Sequence, residues 1–242
     1  MNIHQQRQVI ELGVSLRPLV RLCQAGEIDT ASLTQLAGLA EQAGADALSY
    51  ALSCAMDAVP LQLPQLAMPV TTWVDIDACA ALDTNAPQKI MLCGANTAAL
   101  DLLQDLARVR ACVAGLQATG RVVSLLLAPD SAQLQAAAAI GIDRVMLATH
   151  EYAAATSADA LAVALDSLAV ALAAGIRCGL RLQAGGGLTY TNVVALAAMP
   201  DLERIELGRA VFARALVSGW EVAVRDAKAV LVRARVAARV AQ

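Results

Sequence analysis

Apolar residues along this chain fall into short runs that alternate with longer segments of helical periodicity. Eight runs are apolar on both faces, which predicts buried strands, at Val9–Ser15, Ala47–Leu52, Val70–Asp75, Lys89–Cys93, Val122–Leu127, Arg144–Ala148, Arg177–Gln183 and Arg204–Gly208. The longer segments predict helices, at Thr30–Ala43, Ile76–Leu82, Thr97–Ala118, Ser131–Ile140, Ala158–Ala174, Tyr190–Ala198 and Val217–Val240, with a shorter segment at Met56–Gln65. Each strand–helix unit takes about 30 residues, the usual length of a βα unit.

This alternation predicts an α/β protein with a parallel sheet, because strands that are apolar on both faces need helices to cover them. Eight such units closing on themselves give a TIM (β/α)8 barrel, and 242 residues are a common length for one. We therefore predict a single barrel domain over residues 1–242. A doubly wound open sheet is the alternative, but it needs an edge strand with a polar face, and none is obvious.

Glycine and aspartate residues predict where several helices begin and end. A left-handed glycine is expected just after four of the helices, at Gly44, Gly120, Gly141 and Gly175. Aspartates stand where two helices need an N-cap, at Asp29 and Asp130. These residues need no functional explanation.

The composition narrows the class of protein. Apolar residues make up 58% of the chain and aromatic residues only 2%, so the core is expected to consist of Ala, Leu and Val. A net charge of −3 argues against a nucleic-acid-binding surface, which needs a basic field. The chain is 16% charged, whereas soluble domains average about 25%. We therefore expect exposed apolar patches and a homo-oligomer.

The cysteines and the apolar segments predict a cytoplasmic protein. Six cysteines are scattered without a C-x-x-C pair, and we interpret them as buried small side chains, not zinc ligands or disulfide partners. The polar stretch Met1–Gln8 lacks the apolar core of a signal peptide. The apolar stretch Ala158–Gly175 contains Asp159 and Asp166, and we interpret it as too short and too polar to cross a membrane. No membrane partner, metal ion or cofactor is expected.

The most informative segment is the glycine-rich stretch Ala184–Asn192, which lies between a predicted strand and a predicted helix. Glycines at such a junction let backbone N–H groups turn toward a ligand, and the following helix dipole favours an anion such as phosphate. The glycines would equally serve a tight turn with no ligand. The predicted fold favours phosphate, because many TIM barrels bind it after strands seven and eight. Gly187, Gly208 and Arg209 are therefore predicted to bind a phosphorylated small molecule or inorganic phosphate.

Other polar residues follow the predicted strands at the end of the barrel where TIM-barrel chemistry occurs. Arg17 and Glu206 are candidates for a catalytic site, together with Asp75 and His150. Glu206 has a structural alternative, since it would also suit an internal ion pair with Arg181 on the neighbouring strand.

The remaining candidates have structural alternatives as well. His150 follows strand six and would also suit a solvated loop position. Asp75 and Asp77 would suit a divalent ion, but Asp77 is as well explained as a helix N-cap. Cys54 would act as a nucleophile only if it were exposed.

The chain resembles pyridoxine 5′-phosphate synthase of vitamin B6 biosynthesis over nearly its whole length. The resemblance is strongest at Glu41–Asp46, Gly120–Leu125, Ala184–Val193 and Met199–Val211. It implies a TIM barrel, an octamer, and condensation of 1-deoxyxylulose 5-phosphate with 3-amino-2-oxopropyl phosphate. It also implies a phosphate site at Gly187, Gly208 and Arg209, where Arg209 replaces a histidine of the family.

The catalytic residues that the resemblance implies are replaced in this chain. Ala51 stands where the family has a catalytic histidine, and Ser53 where it has an arginine. The position of a catalytic glutamate falls near Thr72, and that of an acid histidine at Gly186. Losing general acid–base groups typically costs ~10²–10⁴-fold in rate for each group.

Two segments depart from the family as well. Arg17 places a cation where the family's first strand ends in a carboxylate. The family's long loop after strand four, which closes over substrate, is shortened to Gly94–Thr97.

Three functions follow as hypotheses, in decreasing order of support. The first is a pseudoenzyme that keeps the phosphate site for ligand binding or scaffolding. The second is a divergent enzyme that acts on a related phosphorylated metabolite. The third is a retained pyridoxine 5′-phosphate synthase.

Overall fold

The eight strands form a closed parallel barrel in chain order. The computed structural model describes residues 9–52, 66–82 and 88–240. Within them the strands are Glu11–Ser15 (β1), Ala47–Leu52 (β2), Val70–Asp75 (β3), Lys89–Cys93 (β4), Val122–Leu127 (β5), Arg144–Ala148 (β6), Arg181–Gly185 (β7) and Leu202–Leu207 (β8). The sheet order β1 to β8, closing on itself, confirms the predicted TIM (β/α)8 barrel.

Helices alternate with these strands. In the described residues the α-helices are Arg17–Gln24 (α1), Thr30–Gln42 (α2), Leu102–Ala118 (α3), Ser131–Ala139 (α4), His150–Ala154 (α5), Ala158–Arg177 (α6), Val193–Ala197 (α7), Arg209–Ser218 (α8) and Trp220–Val240 (α9). Two 3₁₀ helices, Ile76–Ala81 and Ala95–Thr97, follow β3 and β4.

The density of internal contacts divides the chain into two compact units. The first unit contains β1, β8 and most of β2, together with helices α1, α2 and α7 to α9. The second unit contains nearly all of β3, and β4 to β7 with α3 to α6. In the first unit, Leu12 and Val14 of β1 are fully buried; in the second, Leu125 and Leu127 of β5 are fully buried. Each unit thus has an apolar core of its own, and the expectation of a single domain over residues 1–242 stays a prediction.

The N-terminal caps of α2 and α4 confirm the sequence interpretation. Asp29 accepts a hydrogen bond from the backbone N–H of Ser32 (2.7 Å), and Asp130 accepts bonds from the N–H groups of Ala132 and Gln133. In the 3₁₀ helix Ile76–Ala81, by contrast, Asp75 is the N-cap and Asp77 is not.

The predicted start of strand seven is wrong. Helix α6 continues to Arg177, and the left-handed residue after it is Gly179 (φ 77°), not Gly175. A Cβ on Gly175 would lie 2.7 Å from Leu182 Cδ1, so this glycine lets the helix approach β7 closely. The other three predicted helix-ending glycines have the expected positive φ.

Helix α6 also corrects the expectation that its segment is too short and too polar for a membrane span. By length and composition alone, this helix of 20 residues is long enough and apolar enough to cross a membrane. An 18-residue window within it has a mean hydropathy of 1.8. The helix connects β6 to β7, which pair in parallel, and buries Leu168 and Leu172. A connection of this kind is a regular part of a βα barrel, so its composition alone does not indicate a membrane protein.

Two cysteines form a disulfide, which corrects the expectation of unpaired cysteines. Cys79 in the 3₁₀ helix Ile76–Ala81 is bonded to Cys112 of α3. The other described cysteines, which form no disulfide, differ in burial: Cys93 is buried, whereas Cys23 and Cys178 are partly exposed.

Several predicted features lie outside the described residues. These are the polar stretch Met1–Gln8, the residues Ser53 and Cys54 after strand two, and the whole of the segment Met56–Gln65.

Candidate functional site

A cavity of about 330 Å³ lies at the carboxyl ends of β1 and β8, within the first unit. Its lining comes from the start of α1, the glycine-rich loop after β7, and the junction of β8 with α8. The lining residues are Arg17, Gly186, Gly187, Leu188, Thr189, Glu206, Gly208, Arg209 and Ala210. The structure therefore brings together the predicted phosphate residues with two of the four predicted catalytic candidates.

The glycine-rich loop has a backbone that other residues rarely adopt. Gly186 and Gly187 have φ angles of 119° and 75°, which explains the need for glycine at both positions. The loop then closes on itself, because the N–H of Thr189 donates to Asn192 Oδ1 (2.7 Å) and the N–H of Asn192 donates to Thr189 Oγ1 (3.2 Å). This part of the cavity wall consists largely of backbone.

Tyr190 anchors the loop to helix α9. Its hydroxyl donates to the carbonyl of Ala223 (2.7 Å), and the guanidinium of Arg214 lies 5.1 Å from the ring centroid. Arg214 is itself held by Asp226, to which its Nε donates at 2.9 Å. Burial raises the pKa of Tyr190 to about 12; Arg214 opposes this shift and Asp226 adds to it. The phenol therefore stays a neutral donor at physiological pH.

Gly208 directly follows β8, at a point where two strand ends approach closely. A Cβ at this position would lie 3.0 Å from the Cβ of Ser15, at the end of β1. The next residue, Arg209, is the first residue of α8 and is exposed. Helix α8 has no side-chain N-cap and no acidic residue in its first turn. No side chain of the helix itself therefore neutralises the positive end of its dipole at the cavity.

Arg17 stands in a similar position at the start of α1. This helix also lacks a side-chain N-cap and a first-turn acid. The Nε of Arg17 donates to Ser15 Oγ (3.2 Å), and this hydrogen bond holds the guanidinium at the carboxyl end of β1. Arg17 and Arg209 thus contribute two cations to the cavity lining.

Glu206 is the acidic residue among the lining residues. It is 8% exposed, and its Cα pairs in register with that of Gly13 on β1. Arg181, its predicted partner in an internal ion pair, is exposed at the start of β7, and that pair stays a prediction. Glu206 lines the cavity together with Arg17 and Arg209.

Asp75 and His150 do not belong to the lining of this cavity. Asp75 accepts a hydrogen bond from the N–H of Asp77 (3.0 Å) as the cap of its 3₁₀ helix. Asp77 pairs with Arg108 of α3, and His150 is exposed at the start of α5. Within residues 9–52, 66–82 and 88–240, no group of three or more His, Cys, Asp or Glu side chains could hold a metal ion.

In the second unit, an apolar cluster packs against Ala51, one of the positions at which the resemblance implies a catalytic residue. We call it the Trp73 cluster; its members are Trp73, Met91, Cys93, Leu126 and Met146, each at most 3% exposed, with Ala51 and Ala148 packed against it. Ala51 is the position of the family's catalytic histidine. Thr72 lies on the opposite face of β3 from Trp73, because successive strand residues alternate between faces, and it is fully buried.

The Thr72 side chain offers no ionisable group and points away from the Trp73 cluster. Its Oγ1 is buried and has no hydrogen-bond partner in the part of the chain that the structure describes. A glutamate at this position would place a buried charge there, whereas threonine leaves only a neutral hydroxyl.

Comparison with known sequences identifies the family of this chain. Residues 86–233 match the family model described as pyridoxal phosphate biosynthesis protein PdxJ. The pyridoxine 5′-phosphate synthase of Thioalkalivibrio sulfidiphilus (strain HL-EbGR7) is 32% identical over 241 residues, covering 93% of this chain and 97% of that protein. The chain belongs to the PdxJ family.

Solved structures of low sequence identity share the fold alone. The BexX/CysO complex of Amycolatopsis orientalis contains a chain with a TM-score of 0.61 and 13% identity, over 96% of this chain and 92% of that one. The 3-hexulose-6-phosphate synthase of Salmonella typhimurium gives a TM-score of 0.58 at 15% identity, over 93% of this chain and 99% of that one.

Sequence reasoning missed the Trp73 cluster. Its members lie on four strands that are apolar on both faces, so no alternation in the sequence marks the face that carries the cluster. The available signal was Trp73 itself, one of two tryptophans in a chain with 2% aromatic residues.

Proposed function

We propose that this chain is a member of the PdxJ family that binds a small phosphorylated ligand and does not catalyse pyridoxine 5′-phosphate synthesis. The observation that carries the proposal is the cavity, in which Arg17 and Arg209 meet the glycine-rich loop and the N-terminal end of α8. Its volume of about 330 Å³ is near the lower end of typical ligand pockets, about 300–1,000 Å³. A small ligand therefore fits it best.

The charges of the lining residues favour a phosphate monoester. Two arginines and one glutamate leave one net positive charge, to which the α8 dipole adds roughly half a charge. A phosphate monoester carries about −1.5 to −2 at neutral pH. The backbone N–H groups of Gly187 and Gly208 would supply donors without a side chain, so anion binding does not need the replaced catalytic side chains.

The Trp73 cluster supports the loss of the parent reaction. General acid–base catalysis needs a titratable side chain within hydrogen-bond reach of the reacting atoms. Ala51 instead presents a methyl group to Trp73 and its apolar neighbours. Gly186, at the position of the family's acid histidine, has no side chain at all. Neither position can transfer a proton.

Isothermal titration calorimetry with inorganic phosphate and a series of sugar phosphates tests the binding. Arg209→Gln should weaken binding by about 1.5–3 kcal/mol, the net contribution of a charged hydrogen bond, which is roughly a 10- to 150-fold rise in Kd. Arg209 is exposed, so the variant should fold normally. Arg225→Gln, which removes the same charge from an exposed position on α9, is the matched control and should bind like the wild type. Absence of binding to the wild type, or equal binding by both variants, would refute the phosphate site.

Growth of a strain that lacks pyridoxine 5′-phosphate synthase tests the proposal that this chain does not catalyse the synthase reaction. The chain, expressed in that strain, should not restore growth without added vitamin B6. The Thioalkalivibrio sulfidiphilus synthase is the positive control. Growth supported by this chain would show that it retains the synthase activity.

Glu206 favours a divergent enzyme as the second candidate, because a buried carboxylate beside two arginines would suit an acid–base group. Any phosphorylated compound that binds should be incubated with the protein and followed by phosphorus NMR. Unchanged spectra agree with a binding protein. A conversion that stops in Glu206→Gln would establish the enzyme instead.

A homo-oligomer in the cytoplasm completes the proposal. Exposed apolar side chains support it, notably Leu216 (75% exposed) and Val217 (92%) at the end of α8. Single exposed apolar residues are ordinary, whereas contiguous apolar patches mark interaction sites, and these two residues are adjacent.

A further inference from the structure

The disulfide Cys79–Cys112 connects two elements that follow neighbouring strands of the second unit. Cys79 lies in the 3₁₀ helix Ile76–Ala81 after β3, and Cys112 lies in α3, 33 residues further along the chain. Their Cα atoms are 6.5 Å apart, within the usual range of about 4.4–6.8 Å for a disulfide. The two backbones are therefore placed for the bond without rearrangement.

The ion pair that joins the same two elements is weak by comparison. Asp77 and Arg108 form an ion pair, but their side chains are 66% and 50% exposed. Exposed pairs of this kind contribute about 0–1 kcal/mol. The disulfide is thus the stronger of the two links between the 3₁₀ helix and α3.

We propose that Cys79 and Cys112 form a reversible redox site that exchanges with a small-molecule thiol such as glutathione. Both cysteines are partly exposed, so a thiolate can approach the bond from solvent. Disulfides that form in a reducing cytoplasm are usually transient or redox-sensing, and the inference rests on the proposed cytoplasmic location. The proposal does not depend on the phosphate site.

The exchange proceeds in two steps that conserve atoms and electrons. A thiolate of glutathione attacks one sulfur of the pair, the S–S bond breaks, and the other cysteine leaves as a thiolate. A second glutathione thiolate attacks the mixed disulfide, which yields glutathione disulfide and the second cysteine thiolate. The two cysteines gain two electrons, glutathione loses two, and each released thiolate takes a proton from solvent. Glutathione disulfide drives the reverse reaction.

Reduction should loosen the 3₁₀ helix and leave the sheet intact. Trp73 to Asp75 of β3 remain paired in register with Met91 to Cys93 of β4, and neither strand depends on the disulfide. Only the segment Ile76–Ala81 loses its covalent link to α3. The redox state would therefore control local order at the carboxyl end of β3.

The experiment equilibrates the folded protein at a series of ratios of glutathione to glutathione disulfide. Acid quenching, alkylation and peptide mapping then give the fraction of Cys79–Cys112 that is disulfide-bonded. We expect this fraction to fall continuously as the ratio rises. Retention of the bond at the highest ratio, or free thiols at the lowest, would overturn the proposal.

Hydrogen exchange on the oxidised and reduced protein tests the structural effect. We expect exchange in Ile76–Ala81 to become about tenfold faster on reduction, while β4 to β6 keep their protection. Cys23→Ser removes a free, partly exposed cysteine and should respond like the wild type. Cys112→Ser should show the fast exchange in both conditions. Should that variant fail to fold, the wild-type measurement decides alone, and unchanged exchange in Ile76–Ala81 would refute the local effect.

Discussion

Arg235 of helix α9 offers the most direct test of how the described fold is stabilised. Its guanidinium is 3% exposed and donates to four backbone carbonyls, at distances from 2.7 to 3.0 Å. These carbonyls belong to the end of α7 and the turn into β8, namely Ala197, Met199, Pro200 and Leu202. Arginine suits this role because it carries five donors in one plane.

Replacing Arg235 by methionine keeps an unbranched apolar stem like that of arginine and removes every donor. Ala197 and Leu202 are buried, so their carbonyls would lose a partner that water cannot easily replace. Each such group costs about 1–3 kcal/mol. Removing the charge offsets part of this, since burial already disfavours the charged form and lowers the pKa of Arg235. We expect a net loss of about 3 kcal/mol in the free energy of unfolding.

Urea denaturation and thermal melting followed by circular dichroism measure this loss. For a chain of this size, 3 kcal/mol corresponds to a fall of about 6–12 °C in Tm. Arg233→Met is the matched control, because Arg233 is exposed on the same helix, and it should change the stability by less than about 0.5 kcal/mol. Equal stabilities of the two variants would show that the four carbonyl contacts contribute nothing net.

Three further predictions concern the loop, its anchor and the assembly. Gly187→Val should cost about 1–2 kcal/mol of stability, because Gly187 has φ 75°, and calorimetry should show phosphate binding at least about tenfold weaker; undiminished binding would place the anion elsewhere. The pKa of Tyr190 is raised from 10.0 to about 12, so the unfolded chain loses this proton first as the pH rises. The stability it contributes is therefore complete below pH 10 and should fall by on the order of 2 kcal/mol between pH 10 and pH 12. Urea titrations of the wild type and Tyr190→Phe should show this difference, and parallel pH profiles would contradict it. Light scattering at micromolar concentration should find a dimer or larger assembly; a monomer would refute the inference from the exposed apolar side chains.

The limits of a strand could be predicted from the sequence where turn residues flank the strand on both sides. The predicted limits of β2 to β6 agree with the structure, and each of these strands is a short apolar run. Strand β7 was predicted to begin at Arg177, because Gly175 was interpreted as the end of the preceding helix. Glycine ends a helix when it adopts a positive φ, but here it serves the close approach to Leu182. Sequence alone does not distinguish these two uses.

Helices α1, α5 and α8 were not predicted. Pro18 was an available signal for α1, because proline is favoured in the first turn of a helix. Helix α8 was missed because its apolar residues continue into α9, and the break between them depends on Gly219 (φ 83°).

The cavity was more predictable than the interior. The predicted barrel already placed these residues together, because they lie at the carboxyl ends of its strands; they are Gly187, Gly208, Arg209, Arg17 and Glu206. The disulfide was not predictable, since Cys79 and Cys112 meet only when the 3₁₀ helix packs against α3.

The Trp73 cluster also makes the loss of the parent chemistry hard to reverse in evolution. A histidine introduced at Ala51 would meet Trp73 and its neighbours, and a larger side chain in a packed core typically costs about 1–3 kcal/mol. Its imidazole would also need a hydrogen-bond partner among apolar side chains. Single-step reversion is therefore penalised before any activity returns. A lineage would first have to replace Trp73 by a smaller residue, and that intermediate would have a cavity in its core but no catalytic group.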